Sequence, residues 1–126
     1  MKLRILDDSL RLRLPKSEVE QLRATGRVEA AVHFGPGPEQ RLTYALVVVP
    51  ETQRISAVLT DREVAVHLPE SVAHAWADGD EISLRAEQSL GDDRSLSLLI
   101  EKDFKCVVPR DGEQNYDGYE NPNLTC

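Results

Sequence analysis

The sequence predicts a mainly β, α+β fold: a compact antiparallel β-barrel of short strands, with two short helices and a pseudo-two-fold internal repeat. Three observations point there. Apolar and polar residues alternate with period 2 through most of the first 104 positions, as in SLSLLI at 95–100. Twice that alternation ends in Leu-Pro and gives way to a short amphipathic stretch. The two stretches also align with each other at an offset of 54: Leu12 with Val66, Leu14 with Leu68, Pro15 with Pro69, Ser17 with Ser71 and Leu22 with Trp76. Gly26 aligns with Gly79 after a one-residue gap.

Leu3 and Ile5, then Leu10, Leu12 and Leu14, lie on one side of an alternation that places Arg11 and Arg13 on the other. Asp7-Asp8-Ser9 interrupts it, so either two short strands or one bent strand fits. Pro15 stops the ladder. Ser17, with Glu20 three residues on, has the spacing of a capping box, and Val19 and Leu22 form the stripe of a helix that Gly26 ends. Val28–Phe34 reads as a strand, GPGPEQ at 35–40 as a rigid turn, and Leu42–Val49 as the most β-branched strand. Ile55–Leu59 and Glu63–Leu68 flank Thr60-Asp61-Arg62 as a hairpin, so the first part of the chain reads as a meander. Ser71–Ala77 is the second helix, with Val72, Ala73 and Trp76 inward and Asp78-Gly79-Asp80 as its stop. Glu81–Gln88 and Arg94–Phe104 close the pattern as a hairpin around Leu90-Gly91-Asp92-Asp93. Residues 1–108 are thus expected to form one barrel domain and 109–126 an acidic tail.

A chain of 126 residues, 40% hydrophobic and 29% charged, is long enough to bury one core and too apolar for disorder. Its net charge of -7 argues against a general nucleic-acid or anionic-membrane binder. The charge is uneven, because residues 1–27 carry seven bases against four acids. MKLRILDDSL has no apolar signal-peptide core and no run of 18 apolar residues occurs, so a cytoplasmic, non-membrane protein is expected, monomer or homodimer.

Taken together, SLRLRLPKSEVEQL, HFGPGP, EKDFKC and the closing NPNLTC resemble the pattern of an uncharacterised bacterial family of small soluble proteins. The resemblance spans nearly the whole chain and implies no activity. The second repeat copy, strand-Leu-Pro-helix-Gly-Asp-strand, is similar at the level of fold to the swapped-hairpin element of AbrB-type transcriptional regulators. That resemblance implies phosphate contacts from basic hairpin residues, here Arg4, Arg11 and Arg13.

The two cysteines, Cys106 and Cys126, are the chemically most distinctive residues. With two of His33, His67 and His74, or with a carboxylate such as Asp103, they could ligate zinc or another thiophilic divalent metal, His33 and Asp103 being the first candidates, although the closely spaced pairs of a zinc finger are absent. The bland reading is a small buried thiol at a strand end and an exposed one in the tail. A disulfide between them would stabilise by roughly 3 kcal/mol on loop-entropy grounds. The three histidines, His33, His67 and His74, are scattered, and their simplest reading is as partly exposed structural or surface residues. Glu101, Lys102 and Asp103 could assist a Cys106 thiolate, which is the basis for a thiol-dependent enzyme or redox protein. More often such a run is a solvated strand rim. The chain therefore reads first as a non-enzymatic module binding a metal ion or partner protein through its Cys-bearing strand and tail. An AbrB-like DNA-binding regulator and a thiol enzyme are the alternatives.

Overall fold

Leucines at every second position from Leu10 to Leu14, with prolines closing the runs, build strands that are apolar on one side and charged on the other. In the computed structural model, which describes residues 1–104, these strands form two separate sheets. The elements in order are β1 (Lys2–Ile5), β2 (Ser9–Leu14), α1 (Lys16–Thr25), β3 (Arg27–His33), β4 (Arg41–Val48), β5 (Ser56–Thr60), β6 (Glu63–Leu68), α2 (Glu70–Asp78), β7 (Ser83–Gly91) and β8 (Arg94–Lys102). Sheet A has the order β1-β2-β8-β7, and sheet B the order β3-β4-β6-β5.

The expected barrel is thereby corrected: no sheet closes on itself, and the fold is a mixed α+β arrangement of two open sheets and two helices. Nor is the pairing all antiparallel. At the centre of each sheet two strands run parallel, β2 with β8 and β4 with β6. A meander pairs neighbours in sequence, but here α1 and α2 carry the chain from one sheet to the other, so sheet A joins the first hairpin to the last and sheet B takes the two hairpins between them. Ser9 of β2 lies opposite Ser97 of β8, a pairing that alternation alone does not reveal.

The two halves repeat each other in hydrogen bonds as well as in elements. Thr43 N–H donates to the Arg62 carbonyl at 2.8 Å, and Ser97 N–H to that of Asp8 at 2.9 Å. Val49 N–H donates to Leu68 and Asp103 N–H to Leu14, both at 2.9 Å. Each of these pairs is related by the sequence offset of 54. The strands obey the same relation: Thr43–Val48 against Glu63–Leu68 repeats as Ser97–Lys102 against Ser9–Leu14.

Both helices begin on proline rather than on a capping serine. Pro15 and Pro69 occupy the N-cap positions, no side chain caps either helix, and Ser17 and Ser71 lie inside the first turn. Proline suits that place because its fixed φ matches the entry and no N–H is lost. The helix ends differ. Gly26 is left-handed, with φ 81°, and donates its N–H to the Leu22 carbonyl at 2.8 Å. Gly79 is extended; a Cβ there would lie 2.7 Å from the Ala75 carbonyl oxygen, so glycine is needed for room rather than for φ. At the β7–β8 tip Asp92 and Asp93 both have positive φ, the signature of the tight hairpin turn that matches strand twist.

Between the sheets lies one core that draws on every layer: Leu12, Leu14 and Ile100 from sheet A, Val28, Leu46, Val66 and Leu68 from sheet B, Val19 and Leu22 from α1, Ala73 and Trp76 from α2. Trp76 is fully buried, its indole Nε1–H donating to the Ile82 carbonyl at 3.1 Å, and Lys102 lies over its ring at 5.6 Å. Gln88 of β7 reaches across to sheet B, where its side-chain oxygen accepts from Ala57 N–H at 2.6 Å and its amide donates to the Ala57 carbonyl at 3.1 Å. That amide laces β7 to β5.

Candidate functional site: the outer face of sheet A

Because strand side chains alternate, the residues between the buried leucines all face away from the core. In sheet A the register assembles them into rows. Arg4 pairs with Arg11, Arg11 with Leu99, and Leu99 with Arg85, a line across all four strands. The next row is Lys2, Arg13, Glu101 and Ser83. On the other side lie Ser9, Ser97 and Glu87. At about 4.8 Å between strands, the arginine row spans roughly 14 Å.

Arg4, Arg11, Arg85, Ser9, Ser97, Glu87 and Leu99, with the exposed Leu6 at the rim, line a groove of about 610 Å³. Its charges are only partly matched. Glu101 holds Arg13 at 2.5 Å and Arg11 at 3.5 Å, and Glu87 is occupied by the hydroxyls of Ser95 and Ser97 at 2.8–3.0 Å. Arg4 and Arg85 make no ion pair among the described residues. Five bases, Lys2, Arg4, Arg11, Arg13 and Arg85, thus share the face with Glu87 and Glu101, with Asp103 meeting Lys2 at its edge, inside a chain whose net charge is -7.

The three arginines expected to face a phosphate backbone do share one face, and Arg11 and Arg13 share one carboxylate. Arg85 is the member that the sequence did not single out. Alternation in SLRAE places it opposite Leu84 and Ala86, but its neighbours depend on β7 and β8 joining the β1-β2 hairpin at the other end of the described chain. The candidate metal ligands are not gathered in this way. His33 ends β3 on the outer side of sheet B, opposite Arg41, whereas Asp103 follows β8 and meets Lys2 at 3.4 Å. Cys106 and Cys126 lie outside the described residues. Among the described residues no three His, Cys, Asp or Glu side chains cluster to hold a metal. The run beside Cys106 is engaged as well: Glu101 with two arginines, Lys102 on the Gly79 carbonyl at 2.9 Å, and Asp103 with Lys2.

Sheet B carries a different cluster on its outer side. Arg27 bridges Glu29 at 2.9 Å and Glu63 at 2.6 Å. These hydrogen bonds, Glu29's first and Glu63's next, hold the Arg27 guanidinium above its ordinary value. Its raised value makes its contribution full below the unfolded pKa and lost only in strong alkali, so this group gives no stability change near neutral pH.

The molecule is thus a two-sheet α+β domain with one basic outer face. The chain belongs to a family of unknown function, DUF7009, whose model matches residues 1–123. Neither the curated proteins nor the solved structures include a match to the chain. Among the described residues no helix is long and apolar enough to cross a membrane.

Proposed function

We propose that this chain is a cytoplasmic, non-catalytic binding module that takes an acidic segment of a partner protein across the outer face of sheet A. The observation that carries the reading is the row Arg4, Arg11, Arg85 around Leu99, two of whose guanidiniums lack a carboxylate among the described residues. Guanidiniums on adjacent strands present paired donors to carboxylates, and Leu99 and Leu6 offer apolar contact beside them. β8, the strand that leads toward Cys106, runs through the middle of this face.

A nucleic-acid strand fits less well. Among the described residues the face has no aromatic ring for a base to stack on, and Glu87 and Glu101 lie among its bases. Neutralising so few phosphates would also give weak binding that fades with salt. The test is fluorescence anisotropy with a labelled Glu/Tyr oligopeptide, a labelled single strand and a labelled duplex, each at two salt concentrations. The reading expects the peptide to bind and Arg4→Ala with Arg85→Ala to weaken it at least tenfold. Preference for either DNA, or no effect of the arginine changes, would overturn it.

A further inference from the structure

We infer that the first occupant of the sheet A groove is an acidic segment of the same chain, residues 111–120, folded back in cis; the inference rests on the acidic-peptide reading above. Charge and composition match. Asp111, Glu113, Asp117 and Glu120 fall within ten residues that contain no base, with Tyr116 and Tyr119 interleaved. On the face, arginines are interleaved with Leu99 and flanked by Leu6. Carboxylates can meet Arg4, Arg11 and Arg85 while the tyrosine rings cover the leucines.

Position and length match too. β8 ends at Lys102, and the arginine row crosses the same strand at Leu99, so the chain leaves sheet A about 10 Å from the groove. From Phe104 to Asp111 the extended chain reaches roughly 23 Å, enough to turn back, and the ten residues that follow can cross a face about 14 Å wide. A segment tethered this closely competes at an effective concentration in the millimolar range. A free partner must therefore displace it, and the groove is held in a self-occupied state until an acidic ligand of higher affinity arrives.

The experiment uses the full chain and a fluorescein-labelled synthetic peptide of residues 109–126 with serine in place of its cysteine, read by anisotropy. Three proteins are compared: the chain itself; a neutralised chain carrying Asp111→Asn, Glu113→Gln, Asp117→Asn and Glu120→Gln; and the neutralised chain with Arg4→Ala and Arg85→Ala added. Self-occupancy expects the neutralised chain to bind the peptide at least tenfold more tightly than the unaltered chain, and the arginine changes to abolish the gain. Equal, arginine-dependent binding by the first two proteins would overturn the inference while leaving the acidic-peptide face intact. No binding by the neutralised chain would overturn both. Sedimentation of the unaltered chain separates cis from trans: a concentration-dependent dimer that the four neutralising changes abolish would place the segment on a second copy and also overturn it.

Discussion

The outer faces of the two sheets occupy equivalent places in the repeat, yet their chemistry has diverged. Arg4, Arg11, Leu99 and Arg85 in sheet A correspond to Val58, Ala65, Ala45 and Glu29 in sheet B. The next row, Lys2, Arg13, Glu101 and Ser83, corresponds to Ser56, His67, Val47 and Arg27. In sheet B the middle of the face is held by alanines, Ala45 being only 1% exposed, and Arg27 beside them is bridged by two glutamates. The core positions between these rows keep their apolar character in both halves: Leu12 with Val66, Leu14 with Leu68, Leu46 with Ile100. Packing constrains the inner face of both sheets alike, whereas the outer faces are free to specialise, and the one that accumulated unmatched arginines is the one we assign to binding.

The sharpest break of the comparison is electrostatic. Reversing Arg4, Arg11 and Arg85 to Glu gives sheet A's row the sign that Glu29 gives sheet B, and acidic-peptide binding by the chain is expected to fall below detection, a loss of a hundredfold or more by anisotropy. If binding persists, the face is not the site.

The core offers the next largest effect, because the helices are equivalent but unequal. Trp76→Ala is expected to cost about 3–5 kcal/mol, more than Leu22→Ala at the matching place, since the indole also loses its hydrogen bond to Ile82. Urea denaturation of both variants measures the gap, and equal losses would mean that the two halves share the core evenly. Gln88→Ala should cost about 1–3 kcal/mol by leaving both backbone groups of Ala57 without their side-chain partner. Val32, 43% exposed, holds the equivalent place in β3, and Val32→Ala should cost under about 1 kcal/mol in the same assay.

The smallest effect tunes the face itself. Glu101→Gln removes the carboxylate shared by Arg11 and Arg13, so peptide binding should tighten a few-fold while stability falls by no more than about 1 kcal/mol, these being partly exposed pairs. Unchanged or weaker binding would show that Glu101 positions these arginines rather than competing for them.

Much of this architecture can be read from local pattern. The alternation of SLRLRL and SLSLLI gives β2 and β8, the Leu-Pro pairs mark where strands yield to helices, and the Trp76 stripe identifies the inner side of α2. Pairing between distant strands cannot be read in that way. An alternating strand has an inner and an outer side, but nothing in its own residues says whether its neighbour is the next hairpin or one 80 residues on. The barrel expectation failed at that step, and Arg85 was missed at the same one, because a row of arginines exists only once β1, β2, β8 and β7 have been set side by side. Ser17 shows a smaller limit: its capping-box spacing is real, yet Pro15 starts the helix two residues earlier.

The interleaving of the halves has a consequence for how the molecule comes to exist. Residues 1–48 supply two hairpins to different sheets, and residues 56–102 do the same, so neither half contains a finished sheet. Each holds two half-sheets, and each half-sheet is a template with two missing strands. The only covalent link between them is the short stretch 49–55, which belongs to no strand or helix. A chain cut there would retain everything the native topology requires, and its two pieces would behave as partners of a complex, each ordered by the other's arrival.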